Sequence, residues 1–194
     1  MKNLGFILVL FLLIAPLGMA QNKYEREFRI RKSQFPAKAY DLIQDKISDA
    51  KRLRYYKEID STKISFEAKF KKDRLWYSVE FDEQGALEDI EILIKPVDIP
   101  ADVLAEIQRY LDREYTKYKI KRLQQQYRAT PQVPVDKTIK DAFQNLMLPS
   151  LNYELIVAGK QDRSYLQFEI LFDAQGNFLN KRQSLPPNYD HVLY

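Results

Sequence analysis

The sequence predicts an α+β protein in which a helix packed on a roughly four-stranded antiparallel sheet occurs twice in tandem. Three observations predict this fold. Apolar and polar residues alternate with a period of two over several segments, apolar residues recur at helical spacing in three others, and both halves begin and end with similar motifs. Because a period of two places apolar side chains on one side of a strand, we expect each sheet to have one buried face and one wet face.

The first twenty residues have the features of a secretory signal peptide. Lys2 precedes an apolar run over residues 4–15, and Gly18 and Ala20 supply the small residues expected before a cleavage site. The run is shorter than the roughly 20 apolar residues that a membrane-spanning helix requires. We therefore expect removal of residues 1–20, a periplasmic or secreted mature chain, and no stable membrane insertion after cleavage. An uncleaved membrane anchor is the alternative.

The predicted first unit comprises residues 21–97. It begins with a short strand over residues 23–33, and a helix follows from Pro36, since proline is favoured in a first helical turn. Four segments of alternating apolar and polar residues then lie between residues 53 and 95. Hairpin-length loops separate these segments, so we expect an antiparallel sheet.

The predicted second unit comprises residues 98–187, and a tail follows over residues 188–194. Its helix begins near Pro100, and its first strand breaks strict alternation after Ile120, which indicates a β-bulge. An insertion over residues 129–150 contains a third helix, for which we expect Asp136 as the N-cap and an apolar stripe reaching Met147. Three more strands are expected up to residue 185.

Two pairs of motifs indicate that the units repeat. Phe35–Ala37 matches Ile99–Ala101 at the head of each unit, and Asp82–Gly85 matches Asp173–Gly176 at the last hairpin. The Asp-x-Gln-Gly segments could be mistaken for calcium loops, but they offer too few oxygen ligands. Their equivalent positions favour structural turns in which glycine adopts a positive φ.

These motifs resemble the PepSY-like family of exported bacterial proteins, which is also described as similar to β-lactamase-inhibitor proteins. The resemblance is strongest over residues 75–127, where V-E-F-D-x-x-G (79–85) precedes I-P-A-x-V-x-x-x-I (99–107) and a strand rich in Lys and Ile. It implies a small exported domain whose exposed sheet face binds another protein, such as a peptidase or another envelope enzyme. It implies no catalytic activity, and its motifs carry no functional residue.

Two basic strands and one tryptophan are the candidate binding residues. Residues 52–57 and 117–122 interleave Lys and Arg with Tyr straight after each helix, and Trp76 lies on the polar side of its strand. Tyr and Arg are enriched in protein interfaces. The predicted partner-binding residues are Trp76, Tyr56, Arg52, Arg54, Lys119 and Lys121. The alternatives are a solvated sheet face and, for Trp76, packing under the inserted helix.

The composition restricts other chemistry. The chain has no Cys, one His and a formal net charge of +4, which excludes disulfides and thiol chemistry and does not indicate nucleic-acid binding. His191 alone completes neither a zinc site nor a catalytic triad. The acid pairs Asp60 with Glu67 and Glu88 with Asp89 are expected to be solvated charges, because nothing in the pattern places them in a cleft. We expect no catalytic residue, metal or cofactor.

The expected function is therefore that of an exported, non-enzymatic binding module, which inhibits or docks on another envelope or secreted protein through its sheet face. A structural component of the cell envelope and an uncharacterised hydrolase are the alternatives. A small-ligand carrier is a further alternative if the sheets curl around a cavity.

Overall fold

The computed structural model describes residues 22–23, 25–60, 63–161 and 164–184. The predicted signal peptide and the predicted tail with His191 lie outside the described residues. The strands are β1 (Asn22–Lys23), β2 (Glu25–Ile30), β3 (Lys51–Asp60), β4 (Lys63–Lys72), β5 (Leu75–Asp82), β6 (Leu87–Leu93), β7 (Tyr118–Arg128), β8 (Asn152–Gln161), β9 (Ser164–Phe172) and β10 (Phe178–Ser184). The α-helices are α1 (Ala37–Ile47), α2 (Ala101–Glu114) and α3 (Val135–Phe143).

All ten strands belong to one sheet, in the order β1-β10-β9-β8-β7-β6-β5-β4-β3-β2. Neighbouring strands are antiparallel, except that β1 is parallel to β10. The halves predicted as separate units share this sheet, because β6 pairs with β7 from Asp89 and Arg128 to Leu93 and Gln124. Helices together with antiparallel strands agree with the predicted α+β class.

The sheet curls until its two edges meet. Only residue 24 separates β1 from β2, yet these strands pair with β10 and β3, at opposite ends of the strand order. Because consecutive Cα atoms are 3.8 Å apart, this link holds the two edges within about 8 Å of each other. Across the same junction, an Arg182 guanidinium nitrogen on β10 lies 3.6 Å from a carboxylate oxygen of Asp60 on β3.

Curling places the polar face of the sheet on the concave side. Many of its side chains are therefore buried; Glu67 is 3% exposed and Gln124 is 5% exposed. The prediction of a wet sheet face is wrong for these residues. The alternation correctly separates the two faces, but the strands opposite shield the polar face from solvent.

The three helices cover the convex, apolar face. The Phe35 ring, just before α1, packs on Tyr55 with a centroid distance of 4.7 Å. Tyr110 of α2 packs edge to face on Phe172 at 5.3 Å. Apolar residues buried between helices and sheet form one core cluster that spans both halves of the chain. No helix within the described ranges is both long and apolar enough to cross a membrane.

The inserted helix α3 is shorter than the sequence predicts. It begins directly after Pro134, so Asp136 lies in its first turn and is not the N-cap. Asn145 adopts a φ of 50°, and the Leu146 N–H donates to the Asp141 carbonyl at 3.1 Å. A left-handed residue with this hydrogen bond ends a helix, so Met147 lies beyond the apolar stripe, half exposed at 50%.

The two Asp-x-Gln-Gly segments form matching turns, as predicted. In each, the aspartate Oδ1 accepts backbone N–H groups two and four residues later, at 2.9 and 2.8 Å. Gly85 and Gly176 have φ values of 75° and 83°. A Cβ on Gly85 would lie 3.0 Å from the Ala39 nitrogen, and one on Gly176 would lie 2.7 Å from the Val103 carbonyl oxygen. Each glycine thus lets its turn pack against a helix.

Candidate functional site

The concave face contains two adjoining cavities. The larger, of about 460 Å³, is lined by residues from every strand between β2 and β10, and we call it the interior cavity. The smaller, of about 330 Å³, lies over β3 to β7. We call it the aromatic cavity, because Tyr56, Trp76 and Tyr77 contribute to its walls. Glu67 and Lys69 are among the residues that line both, so the cavities are contiguous.

Four of the six predicted binding residues meet in the aromatic cavity. Arg52, Arg54 and Tyr56 come from β3, and Trp76 comes from β5 on the far side of β4. The Arg52 guanidinium lies 5.6 Å from the centroid of the Trp76 ring, and the Lys69 ammonium lies 4.9 Å from that of Tyr56. Both are cation–π distances. Trp76 therefore faces the cavity and does not pack under α3.

Arg52 and Arg54 lie two residues apart on β3 and line the same cavity, as alternate residues of a strand do, although β3 contains a β-bulge at this point. The register of β3 with β4 shifts between Lys51 and Arg54, and Arg52 adopts a φ of 59°. A bulge re-aims side chains and breaks the regular ladder. A non-glycine residue held at positive φ costs roughly 1–3 kcal/mol, so the surrounding structure must stabilise it.

Lys119 and Lys121 do not reach the aromatic cavity. Lys121 lines the interior cavity, whereas Lys119 is exposed and lines neither cavity. A bulge in β7, where the register with β8 shifts between Ile120 and Arg122, places the successive residues Lys121 and Arg122 both in the wall of the interior cavity. Beyond the shift, Arg122 and Gln124 point to the concave side and line the aromatic cavity. The broken alternation after Ile120 was the feature of the sequence that could have indicated that Arg122 faces the cavity.

Lys69 is the central cation of the interior cavity. Its ammonium lies 3.1 Å from Glu27 Oε1 and 2.7 Å from Glu67 Oε2. Burial alone would lower the pKa of Lys69, but the Glu67 and Glu27 carboxylates outweigh burial and hold that pKa above its usual value. The Ser78 hydroxyl donates to Glu67 as well.

Three glutamates near Lys69 have the spacing of a metal site. Carboxylate oxygens of Glu27, Glu58 and Glu67 lie within 4.8 Å of one another. The Lys69 ammonium is already paired with two of them. A cation of the chain itself thus compensates this cluster, and we assign no metal to it.

Asp89 and Glu91 on β6 line the interior cavity; Glu91 is buried, and Asp89 is half-buried with its Oδ1 enclosed. Burial, together with the Glu88 carboxylate, raises the pKa of Asp89 to about 7. Burial also raises the pKa of Glu91 well above its usual value, with Glu154 contributing. Gln126 donates to Asp89 Oδ2 at 3.1 Å. The prediction that Asp89 and Glu67 are solvated charges is wrong, because curling of the sheet removes them from water.

Comparisons with known proteins find similarity in structure alone. No protein-family model matches the sequence, and no curated protein matches it. A DUF2874 family protein from Bacteroides ovatus has a TM-score of 0.52 at 11% identity, covering 77% of this chain and 87% of its own. A BLIP-like protein from Bacteroides fragilis has a TM-score of 0.50 at 13% identity, covering 80% of this chain and 92% of its own.

A DUF2874 family protein from Bacteroides uniformis is similar to the same degree, with a TM-score of 0.51 at 13% identity, covering 76% of this chain and 88% of its own. At these identities the likeness concerns the fold. The fold is thus similar to that of a BLIP-like protein, which agrees with the resemblance to β-lactamase-inhibitor proteins at the level of the mixed helix-and-sheet fold.

Proposed function

We propose that the chain is an exported, non-enzymatic binding module of the PepSY-like kind, which docks on another envelope or secreted protein through the aromatic cavity. One observation carries this proposal: Arg52, Arg54, Tyr56 and Trp76 converge on a single cavity of about 330 Å³. Arginine and large aromatic residues are the types most enriched at interaction hot spots. Binding either inhibits the partner, if the partner is an enzyme, or docks this chain on it.

Export is supported by the signal-peptide features of residues 1–20. It is also supported by a structural neighbour from Bacteroides eggerthii that is described as a candidate periplasmic protein, with a TM-score of 0.51 at 14% identity. That neighbour covers 77% of this chain and 88% of its own. We extend the periplasmic or secreted location to this chain as part of the proposal.

Descent of the two halves from one repeated unit is also part of the proposal. It is supported by the matching turns at Asp82 and Asp173 and by helices α1 and α2, which both begin directly after a proline. A short 3₁₀ turn precedes each of these helices, at Lys32–Gln34 and Pro96–Asp98.

A second candidate function is small-ligand binding, which the interior cavity favours. Ligand pockets have volumes on the order of 300–1,000 Å³, and the interior cavity of about 460 Å³ lies within that range. A carrier of this kind would need no protein partner.

The docking proposal is tested by cross-linking from the cavity. A photoreactive amino acid replaces Tyr56 in tagged residues 21–194, which are incubated with an envelope extract of the source organism. We expect one dominant partner to be cross-linked, with at least a tenfold loss of product when Trp76→Ala and Arg54→Gln are added. Lys119→Gln is the matched control, because Lys119 is exposed outside both cavities, and it should keep full cross-linking.

Equal cross-linking by the double variant and by Lys119→Gln would exclude the aromatic cavity as the docking site. Absence of any enriched partner would favour the small-ligand alternative. Thermal unfolding of each variant distinguishes loss of binding from loss of fold.

A further inference from the structure

We infer that the aromatic cavity recognises carboxylate side chains, so that the partner inserts an acidic peptide segment. This inference rests on the proposed function for the existence of a partner and adds the chemistry by which that partner is bound.

The first argument is the charge of the cavity wall. Arg52, Arg54 and Arg122 all line the cavity. Over the part of the chain that the structure describes, none of these three guanidinium groups forms a hydrogen bond or an ion pair, and Arg52 lies over the Trp76 ring. Elsewhere the chain does pair arginine, since Arg182 contacts both Glu169 and Asp60.

Three unpaired guanidinium groups favour a carboxylate ligand. Guanidinium presents a planar fork of donors that matches the two oxygens of a carboxylate, and such pairs are about twice as strong as neutral hydrogen bonds. Trp76 and Tyr56 beside the arginines offer apolar surface to the methylene groups of an inserted Glu or Asp.

The carboxylates on the floor of the cavity do not cancel this attraction. Glu67 is paired with Lys69 at 2.7 Å and accepts a hydrogen bond from Ser78. Glu91 is buried and accepts a hydrogen bond from Gln124. The pKa of Glu91 is raised well above its usual value by burial and by Glu154, which favours its uncharged form.

Gln124 favours a peptide over a free anion. Its side chain is 5% exposed and lines the cavity, and its amide nitrogen donates to Glu91. Its carbonyl Oε1 is buried without a hydrogen-bond donor among the described residues. A buried acceptor without a donor costs roughly 1–3 kcal/mol. The backbone N–H of an inserted segment supplies a donor for this oxygen, whereas a fully ionised free dicarboxylate has no donor.

The size of the cavity limits what enters it. A volume of about 330 Å³ holds one or two side chains with their backbone and is too small for a helix. The acidic segment is therefore extended or a loop.

The chain carries its own reporter for this site, because Trp76 is its single tryptophan. Mature protein is titrated with an acetylated hexaglutamate peptide at low salt while Trp76 emission is recorded. We expect a saturable change that weakens at least fivefold when NaCl is raised, and no saturable change with hexalysine. Free glutarate and inorganic phosphate should bind at least tenfold more weakly than the peptide.

Variants test whether hexaglutamate binds in the aromatic cavity. Arg54→Gln and Arg122→Gln should each weaken hexaglutamate binding about tenfold, whereas Lys119→Gln, which removes the same charge outside the cavity, should change it less than twofold. Equal weakening by all three variants would overturn the inference, because it would reflect net charge alone. Tighter binding of phosphate or hexalysine than of hexaglutamate would overturn it too.

The two proposals fail separately. A partner that is cross-linked at position 56 but is not displaced by hexaglutamate supports docking and overturns acidic recognition. Hexaglutamate binding that depends on Arg54 and Arg122, without any cross-linked partner, supports acidic recognition and overturns docking on a protein.

Discussion

Asp89 shows how the position of one residue changes the chemistry expected from its sequence. It stands in a run of acids at the surface of a predicted strand, yet it lies in the wall of the interior cavity. Burial and the negative charges of Glu88 and Glu67 raise its pKa. The positive charges of Lys63 and Arg128 lower it by less, so that the pKa is about 7. Its charge therefore changes near neutral pH.

This pKa predicts that stability falls as the pH rises from about 4 to 7. In that window the folded chain holds a proton on Asp89 that the unfolded chain, with an ordinary pKa of 3.8, has lost. Because the folded state binds more protons, raising the pH favours unfolding, and the slope ends above pH 7. We expect a higher unfolding temperature at pH 5 than at pH 8.

Asp89→Asn should reduce this slope and raise the free energy of unfolding at pH 8 by at least about 1 kcal/mol, the equivalent of roughly one pKa unit. Some slope should remain, because the raised pKa of Glu91 acts in the same direction. Glu83→Gln in an exposed turn is the control. A wild-type protein that is less stable at pH 5 than at pH 8 would contradict the assignment.

At the scale of elements, sequence patterns locate the strands and helices well. Alternation predicts the nine antiparallel strands to within a few residues, and the bulge predicted after Ile120 is present. The pattern did not predict the orientation of residues beyond the bulge, where Arg122 faces the cavity. A one-residue shift reverses the faces of a strand, and periodicity alone does not show which side of the shift keeps the original alternation.

The inserted helix α3 is a further case in which the pattern is partly right. Its presence is predicted, but its partners are distant in sequence and could not be. The Phe143 ring stacks on Tyr77 at 5.0 Å and on Phe70 at 6.1 Å. The Tyr127 hydroxyl donates to the Leu146 carbonyl at 3.0 Å, which fixes the chain after the helix.

Phe143→Ala should therefore lower the free energy of unfolding by about 2 kcal/mol, through lost burial and lost aromatic stacking. Chemical denaturation measures this change. Lys140→Ala, on an exposed position of the same helix, should change it by less than about 0.5 kcal/mol. Equal effects of the two substitutions would show that α3 contributes nothing to the core.

For the whole molecule, the most important feature is that the sheet continues from the first half into the second through the pairing of β6 with β7. Beyond their paired residues, the Ile94 N–H donates to the Leu123 carbonyl at 3.0 Å and the Ala129 N–H donates to the Glu88 carbonyl at 2.8 Å. Helix α3 also packs against β6 and β7. Curvature was not predictable, because alternation separates two faces without indicating which becomes concave. The N-terminal strands close the sheet by joining both edges, and the helices packed on the apolar face leave the polar face inside.

We expect the whole molecule to unfold in one cooperative transition. Trp76 lies in the first half, so its fluorescence reports on that half, while far-UV circular dichroism reports on the whole sheet. The two signals should give the same denaturant midpoint. Separate midpoints, or a plateau between two transitions, would show that the halves unfold independently despite their shared sheet.

The pairing of β1 with β10 also affects the order in which the strands fold. It joins the first and last described strands, which are the most distant in sequence of all the pairs in the sheet. Contacts between distant segments form slowly because closing a long loop costs entropy. The hairpins should therefore assemble first, with the carboxylates of the polar face still hydrated and both sheet edges unpaired. During that interval a nascent molecule is most exposed to pairing with another chain, and the pairing of Asn22 and Lys23 with Gln183 and Ser184 then shortens the free edge of β10.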